Sequence, residues 1–307
     1  MNLYFAPMEG ITGCVYRSTH REVFGGCSAY FAPFITPSDN EKVSKKGLKD
    51  VLFENNKGFP LKVQVLTNQS EAFIKFANKI KAHGYNEINL NLGCPSATVV
   101  GKGRGAGMLA EPYKLDKFLY EIFSKCDIKI SIKTRIGYEE RNEIEDLMNI
   151  YNKYPISLLI VHPRTRMEFY KGIADVDAFK YAYSVSKNNI CYNGDVCSKE
   201  DFQVIKNQFP DAEGVMIGRG ALKNPAIFRE INGGTTLKTD ELIKFSEKLT
   251  KNYLESLGSE TFALHKLKEV CYYMLLNFPE EKKISKAVKK ANKLTEFTAA
   301  IECLPQI

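Results

Sequence analysis

The sequence predicts an α/β fold, a (β/α)8 TIM-type barrel followed by a small all-α helical domain, and three observations predict it. Eight short apolar runs alternate with segments of helical length and period across the first three quarters of the 307 residues. Polar residues gather where those runs end rather than where they begin. A turn-rich break, Asn232-Gly233-Gly234-Thr235-Thr236, then separates this part from a remainder that is purely helical.

The apolar runs are Leu3–Pro7, Ala29–Phe34, Leu61–Leu66, Glu87–Leu92, Lys129–Lys133, Leu158–Val161, Ile190–Tyr192 and Gly214–Ile217. Segments such as Glu71–His83 and Pro112–Cys126 carry the helical period between them. Strands separated by helices pair in parallel, and eight such units close into a barrel. An open doubly wound sheet is the competing topology, and the missing Gly-x-Gly-x-x-Gly after the first strand counts against it. In a barrel the active groups stand at the C-terminal strand ends. Met8, Gln64, Asn91, Cys94, Lys133, Arg135, His162, Asn193, Gly218 and Arg219 all fall at or near such ends. Capping and turn chemistry accounts for any one of these residues but poorly for the set. Asn89 and Asn91 alternate with Ile88, Leu90 and Leu92, and period two puts the asparagines on one face and the apolar residues on the other. The domain boundary is placed near residue 235, giving a barrel over 1–235 and a helical domain over 236–307. The latter has helices near Asp240–Leu257, Thr261–Leu276 and Glu280–Ala300.

A hydrophobic share of 44% and a charged share of 26% describe an ordinary globular protein. With no basic start, no leading apolar run and no span of membrane length, a cytoplasmic chain is expected. None of the eight cysteines forms a Cys-x-x-Cys pair, which argues against zinc ribbons and iron–sulfur clusters, and no metal is expected. The formal net charge of +7 suits a polyanionic partner.

The sharpest chemical signal is Asn89-Leu90-Asn91-Leu92-Gly93-Cys94-Pro95-Ser96. Pro95 removes a donor and biases Cys94 toward an extended backbone. A lone cysteine is usually structural, but this one ends a strand beside a glycine-rich loop, Gly101-Lys102-Gly103-Arg104-Gly105-Ala106-Gly107. Lys102 and Arg104 are placed there to meet phosphates. Tyr192-Asn193-Gly194-Asp195 and Gly218-Arg219-Gly220-Ala221 follow the last two strands, where barrels commonly bind a phosphate. A lysine in the barrel mouth, Lys133, must be paired or serve a ligand. His162, in His162-Pro163-Arg164-Thr165, is either a ligand contact or a hydrogen-bonded structural histidine.

In order and spacing, Ala6-Pro7-Met8-Glu9-Gly10, Gln64-Val65, Asn91-Leu92-Gly93-Cys94-Pro95, Lys133-Thr134-Arg135, His162-Pro163-Arg164-Thr165, Asn193-Gly194-Asp195 and Met216-Ile217-Gly218-Arg219-Gly220-Ala221 resemble the tRNA-dihydrouridine synthases, over nearly the whole chain. The resemblance implies FMN as cofactor, NADPH or NADH as electron donor and tRNA as partner. It implies that Ala6, Pro7 and Met8 line the flavin, that Gln64 and Lys133 bond its polar edge, and that Asn193, Gly194, Asp195, Gly218 and Arg219 serve its phosphate end, with His162 nearby. Hydride would pass to C6 of a uracil and Cys94 would protonate C5, a role that needs the neutral thiol. Lys102, Arg104, Arg135, Arg164 and a C-terminal stripe of Lys282, Lys286, Lys289, Lys290 and Lys293 are the expected RNA contacts. Ala97 stands where many members carry lysine, and Gly13 where the opening motif more commonly ends in aspartate. Glu9 is similar to the branch acting on uridine 16. A flavin barrel acting on a free small molecule, as in dihydroorotate dehydrogenases, and a non-catalytic RNA-binding barrel are the competing readings.

Overall fold

The computed structural model describes residues 1–37, 45–56 and 58–307. Eight parallel strands form a closed barrel in sequence order. They are β1 (Asn2–Phe5), β2 (Ala29–Phe31), β3 (Leu61–Val65), β4 (Glu87–Leu92), β5 (Lys129–Gly137), β6 (Leu159–Thr165), β7 (Ile190–Tyr192) and β8 (Gly214–Ile217). β1 closes the ring on β8, with Tyr4 opposite Met216.

Period two decides what faces where. Val63, Val65, Ile88, Leu90, Leu92, Ile130, Ile132 and Ile136 are buried outward against Phe73, Phe76, Leu115, Phe118 and Leu119 of the surrounding helices. Each such side chain contributes roughly 1.5–3 kcal/mol by leaving water. The alternate residues turn inward. Tyr4, Ala6, Ala29, Phe31, Leu158, Ile160, Cys191 and Met216 form a second, separate apolar cluster, the filling of the barrel.

The helices Ser70–Ala82 and Pro112–Lys125 stand within a residue of their expected bounds. Two strands run longer than expected. β5 extends to Gly137 and β6 to Thr165, so Arg135, His162 and Arg164 are inward strand residues rather than loop residues. The pairing of Arg135 with His162 holds this extension.

The C-terminal region contains helices Thr239–Leu257, Glu260–Met274, Lys282–Lys290 and Leu294–Glu302. The single helix expected over Glu280–Ala300 is therefore two. Ala291 leaves the helical region at φ −53°, ψ 130°, and Lys268 donates to the Lys289 and Ala291 carbonyls. Glu260 accepts from the Leu294 amide at 2.8 Å and caps the next helix. The break lets Val288 and then Phe297 and Ile301 all reach the core. The region packs on the Cys14–Val23 helix through Phe245 against Tyr16 and Phe24, and through Asn252 bonded to Thr19.

Candidate active site

The site grows out of the inward-facing strand residues. At the N-terminal end of the barrel Lys62 pairs with Glu87 at 2.6 Å. One layer up, Gln64 donates to Asn89 Oδ1 at 2.7 Å, Asn89 to Ser131 Oγ at 3.0 Å, and Asn91 to Gln64 Oε1 at 2.7 Å. These amides are buried, and a satisfied buried network fixes one arrangement of its members. Its upper end reaches the cysteine turn. Asn91 Oδ1 accepts from the amides of Gly93 and Cys94 at 3.0 and 2.9 Å, so the network sets the turn that presents the thiol. Burial pushes the Cys94 thiol above its ordinary value, more than the Ser96 amide and the nearby Arg135 and Lys133 pull it down. Cys94 is neutral near pH 7.

The glycine-rich loop is not a loose phosphate cradle. It folds into a short 3-10 helix, Gly105–Ala110, against the cysteine turn, with the Ala106 amide donating to the Cys94 carbonyl at 3.1 Å. Gly105 is at φ +56°, and a Cβ there would lie 2.9 Å from both Cys94 O and a Val99 methyl. Asn68 pins the loop further, donating to the Lys102 carbonyl and accepting from Arg104. Lys102 stays exposed at the surface.

Lys133 points into the mouth next to Asn91 in register. Burial first, then Arg135, lowers its ammonium to about 8. Among the described residues it has no carboxylate or hydrogen-bond partner. His162 is held neutral far below its ordinary value, mainly by burial and then by Arg135, Lys133, Arg164 and Arg219 around it. A pocket with this many cations and few anions is built for a negatively charged ligand.

Asn193 donates to the Met216 carbonyl at 2.8 Å and ties β7 to β8. Gly194 lies under the Tyr192 hydroxyl, where a Cβ would come within 2.0 Å, and a Cβ at Gly218 would be 3.3 Å from Ala6 Cβ and Met8 Sδ. The ends of β1, β7 and β8 therefore meet around half-buried glycine backbone. Asp195, expected to touch a cofactor, is occupied otherwise. It accepts two bonds from Arg164 at 3.0 and 2.5 Å, one from Arg219 at 2.9 Å and one from the Ala174 amide. Burial would raise its carboxyl, but these donors hold it below the usual range. It holds the Arg164 and Arg219 guanidiniums together.

Two expected RNA contacts need correction. Arg135 and Arg164 are each 1% exposed. Arg135 donates to the carbonyls of Gly93, Thr165 and Phe169, and Arg164 to those of Lys171 and Gly172 besides Asp195. Both sit on inward positions of longer strands, so they brace the walls of the mouth instead of reaching a backbone outside it. The lysine stripe is exposed, yet Lys293 opens the last helix instead of ending the same face as Lys282, Lys286, Lys289 and Lys290.

Tyr170 was missed from sequence. It follows β6, is 50% exposed, and lies over the mouth with Arg135 and Arg219 guanidiniums 5.4 and 5.1 Å from its ring centre and His162 6.1 Å away. Nothing in the local pattern marks it, because its place depends on arginines from two strand ends and a histidine from a third.

The family profile described as Dihydrouridine synthase (Dus) matches residues 4–306. A probable tRNA-dihydrouridine synthase of Helicobacter pylori (strain ATCC 700392 / 26695) is 30% identical over 267 residues, spanning 82% of this chain and 77% of that protein. The tRNA-dihydrouridine synthase B of Vibrio parahaemolyticus is 29% identical over 251 residues, 78% of this chain and 74% of that one. Among solved structures, morphinone reductase in complex with tetrahydroNAD aligns with a TM-score of 0.53 at 10% identity, over 77% of this chain and 88% of that one. That likeness concerns the barrel fold alone.

Proposed function

Because the chain belongs to the dihydrouridine synthase family, we propose that it reduces a D-loop uridine of tRNA to 5,6-dihydrouridine, with FMN in the barrel mouth and NADPH or NADH as the source of electrons. The observation that carries this reading is a neutral thiol beside a cation that has no carboxylate or hydrogen-bond partner among the described residues. Cys94 keeps its proton through burial, and Lys133 stands close enough to act on it electrostatically.

The residues present fit a flavin mononucleotide. Lys133 offers an unspent positive charge for the polar edge of the ring, and Gln64 still has one amide hydrogen beyond its bond to Asn89. Ala6, Pro7 and Met8 provide an apolar wall at the end of β1. Half-buried glycine backbone at Gly194 and Gly218, with the Asn193 side chain and Arg219 held by Asp195, suits the phosphate end. When bound, the flavin supplies the hydride.

The chain's own residues supply the rest. Cys94 delivers its proton to C5 of the pyrimidine while hydride reaches C6, and the Asn91 bonds fix the turn from which it does so. His162, neutral and without acid function near pH 7, hydrogen-bonds the ligand or its neighbours. The target base must leave its stack to enter this mouth. Lys282, Lys286, Lys289, Lys290 and Lys293, all exposed, with Lys102 and Arg104 at the barrel rim, provide the cations that hold RNA around it. We assign residues 1–235 to the catalytic barrel and 236–307 to the RNA-gripping domain.

The test is a flavin absorbance spectrum followed by NADPH and NADH oxidation with unmodified tRNA and without it. Flavin bands, tRNA-dependent oxidation and dihydrouridine in the recovered RNA are expected. Turnover on a free pyrimidine with no response to tRNA would overturn the reading.

A further inference from the structure

The Cys14–Val23 helix begins without a cap of its own. Its N-cap residue is Gly13, which has no side chain to offer the first-turn amides. A carboxylate from a distant segment takes that place. Asp50 Oδ1 accepts from the Cys14 amide at 2.6 Å, and a Cβ built on Gly13 would sit 3.1 Å from that same oxygen. Asp50 Oδ2 pairs with Arg17 Nη1 at 3.0 Å, and the Asp50 carbonyl accepts from Arg17 Nη2 at 2.7 Å. Arg17 is fully buried, and among the described residues Asp50 is its carboxylate partner.

Arg17 passes this anchorage on. Its Nη1 also donates to the Thr12 carbonyl at 2.7 Å, and Thr12 Oγ1 accepts from the Met8 amide at 2.8 Å. The Ile11 and Thr12 amides both return to the Met8 carbonyl. From Asp50 to Met8 every link is a hydrogen bond between buried or half-buried groups, and Met8 Sδ stands over Gly218. We infer that Asp50 is a positioning residue for the cofactor face. It caps the first helix in place of Gly13, neutralises Arg17, and so sets where Met8 stands at the end of β1. This rests on the reading of Met8 as a wall of the flavin site.

The experiment measures FMN dissociation constants and the visible circular dichroism of bound flavin. The proteins are the wild type, Asp50→Asn, Gly13→Asp and the double variant, all at a temperature where melting curves show them folded. Asp50→Asn should weaken FMN at least tenfold and alter the flavin dichroism. Gly13→Asp alone should also weaken it, since two carboxylates then compete for one amide. The double variant restores a single carboxylate at that spot and should bind FMN better than either parent, which keeps the test decisive even if Asp50→Asn does not fold. A folded Asp50→Asn with wild-type affinity and dichroism, or a double variant no better than its parents, overturns the assignment. A wild-type chain that binds no FMN overturns the flavin reading itself, and this inference with it.

Discussion

Cys94 and Lys133 divide the chemistry of the mouth, and each makes its own prediction. Cys94→Ala removes a proton donor but no charge and little volume. It should keep flavin affinity and the oxidation of NADPH while dihydrouridine formation falls by about 10²–10⁴-fold, the usual worth of a placed acid. Normal product formation in single-turnover assays would sink the donor role. Lys133 predicts a pH effect. Burial lowers its ammonium to about 8, so the cation that attracts an anionic ligand is present below that pH and lost above it. FMN affinity should therefore decline from pH 8 upward, by at most about tenfold per unit. Lys133→Met should bind weakly at every pH with that decline gone, as flavin fluorescence titrations would show. At this scale the sequence was informative because Cys94, Lys133 and His162 announce themselves by residue type at strand ends. It was silent on Tyr170 and Asp50, whose roles come from partners more than 30 positions away in the chain.

Strand lengths decided which sequence expectations held at the level of elements. All eight strands were legible, since apolar alternation is a local property. The extra turns of β5 and β6 were not, because Arg135 and Arg164 do not look like strand interior until the carbonyls that accept from them are known. The Gly101–Gly107 loop misled in the opposite sense. Its glycines suggest freedom, whereas Gly105 permits close packing on Cys94. Gly105→Ala should push the cysteine turn aside, at a cost of about 1–3 kcal/mol for the strained backbone. Turnover should then drop with flavin affinity intact, and a wild-type rate would show that the turn tolerates the shift. The lysine helix makes a separate prediction. Replacing Lys286, Lys289 and Lys290 by glutamine should weaken tRNA binding and reduce the slope of log K against log salt by about 2, if each contacts a phosphate. An unchanged slope would mark them as a solvated face.

For the molecule as a whole, the boundary near residue 235 separates two patterns of sequence but not two cores. Leu242, Phe245, Leu249, Leu267, Val270 and Phe297 belong to the same buried cluster as the outer faces of the barrel strands. His20 lies inside that junction. It is fully buried among Phe5, Tyr16, Phe24, Phe228 and Phe245, with Nδ1 2.7 Å from the Tyr30 hydroxyl and Nε2 2.8 Å from the Pro225 carbonyl. A carbonyl only accepts, so Nε2 carries the hydrogen and Nδ1 accepts from Tyr30. This neutral form uses both nitrogens, and burial lowers the imidazole to about 4. The unfolded chain takes up a proton near 6.5, which the native state refuses until about 4. Stability present above pH 6.5 is thus lost as the pH falls from 6.5 to 4, by roughly 3 kcal/mol in all at about 1.4 kcal/mol per unit. Because the histidine bridges barrel and helices, both should melt in one transition whose midpoint falls across that window. His20→Phe leaves the Tyr30 and Pro225 groups unpaired and should be less stable at pH 7, with the histidine's part of the acid slope removed. Denaturant unfolding followed by far-ultraviolet dichroism at pH 7, 5.5 and 4.5 measures this. Two separate transitions, or an unaltered acid slope in the variant, would show that the two regions do not share their stability through His20.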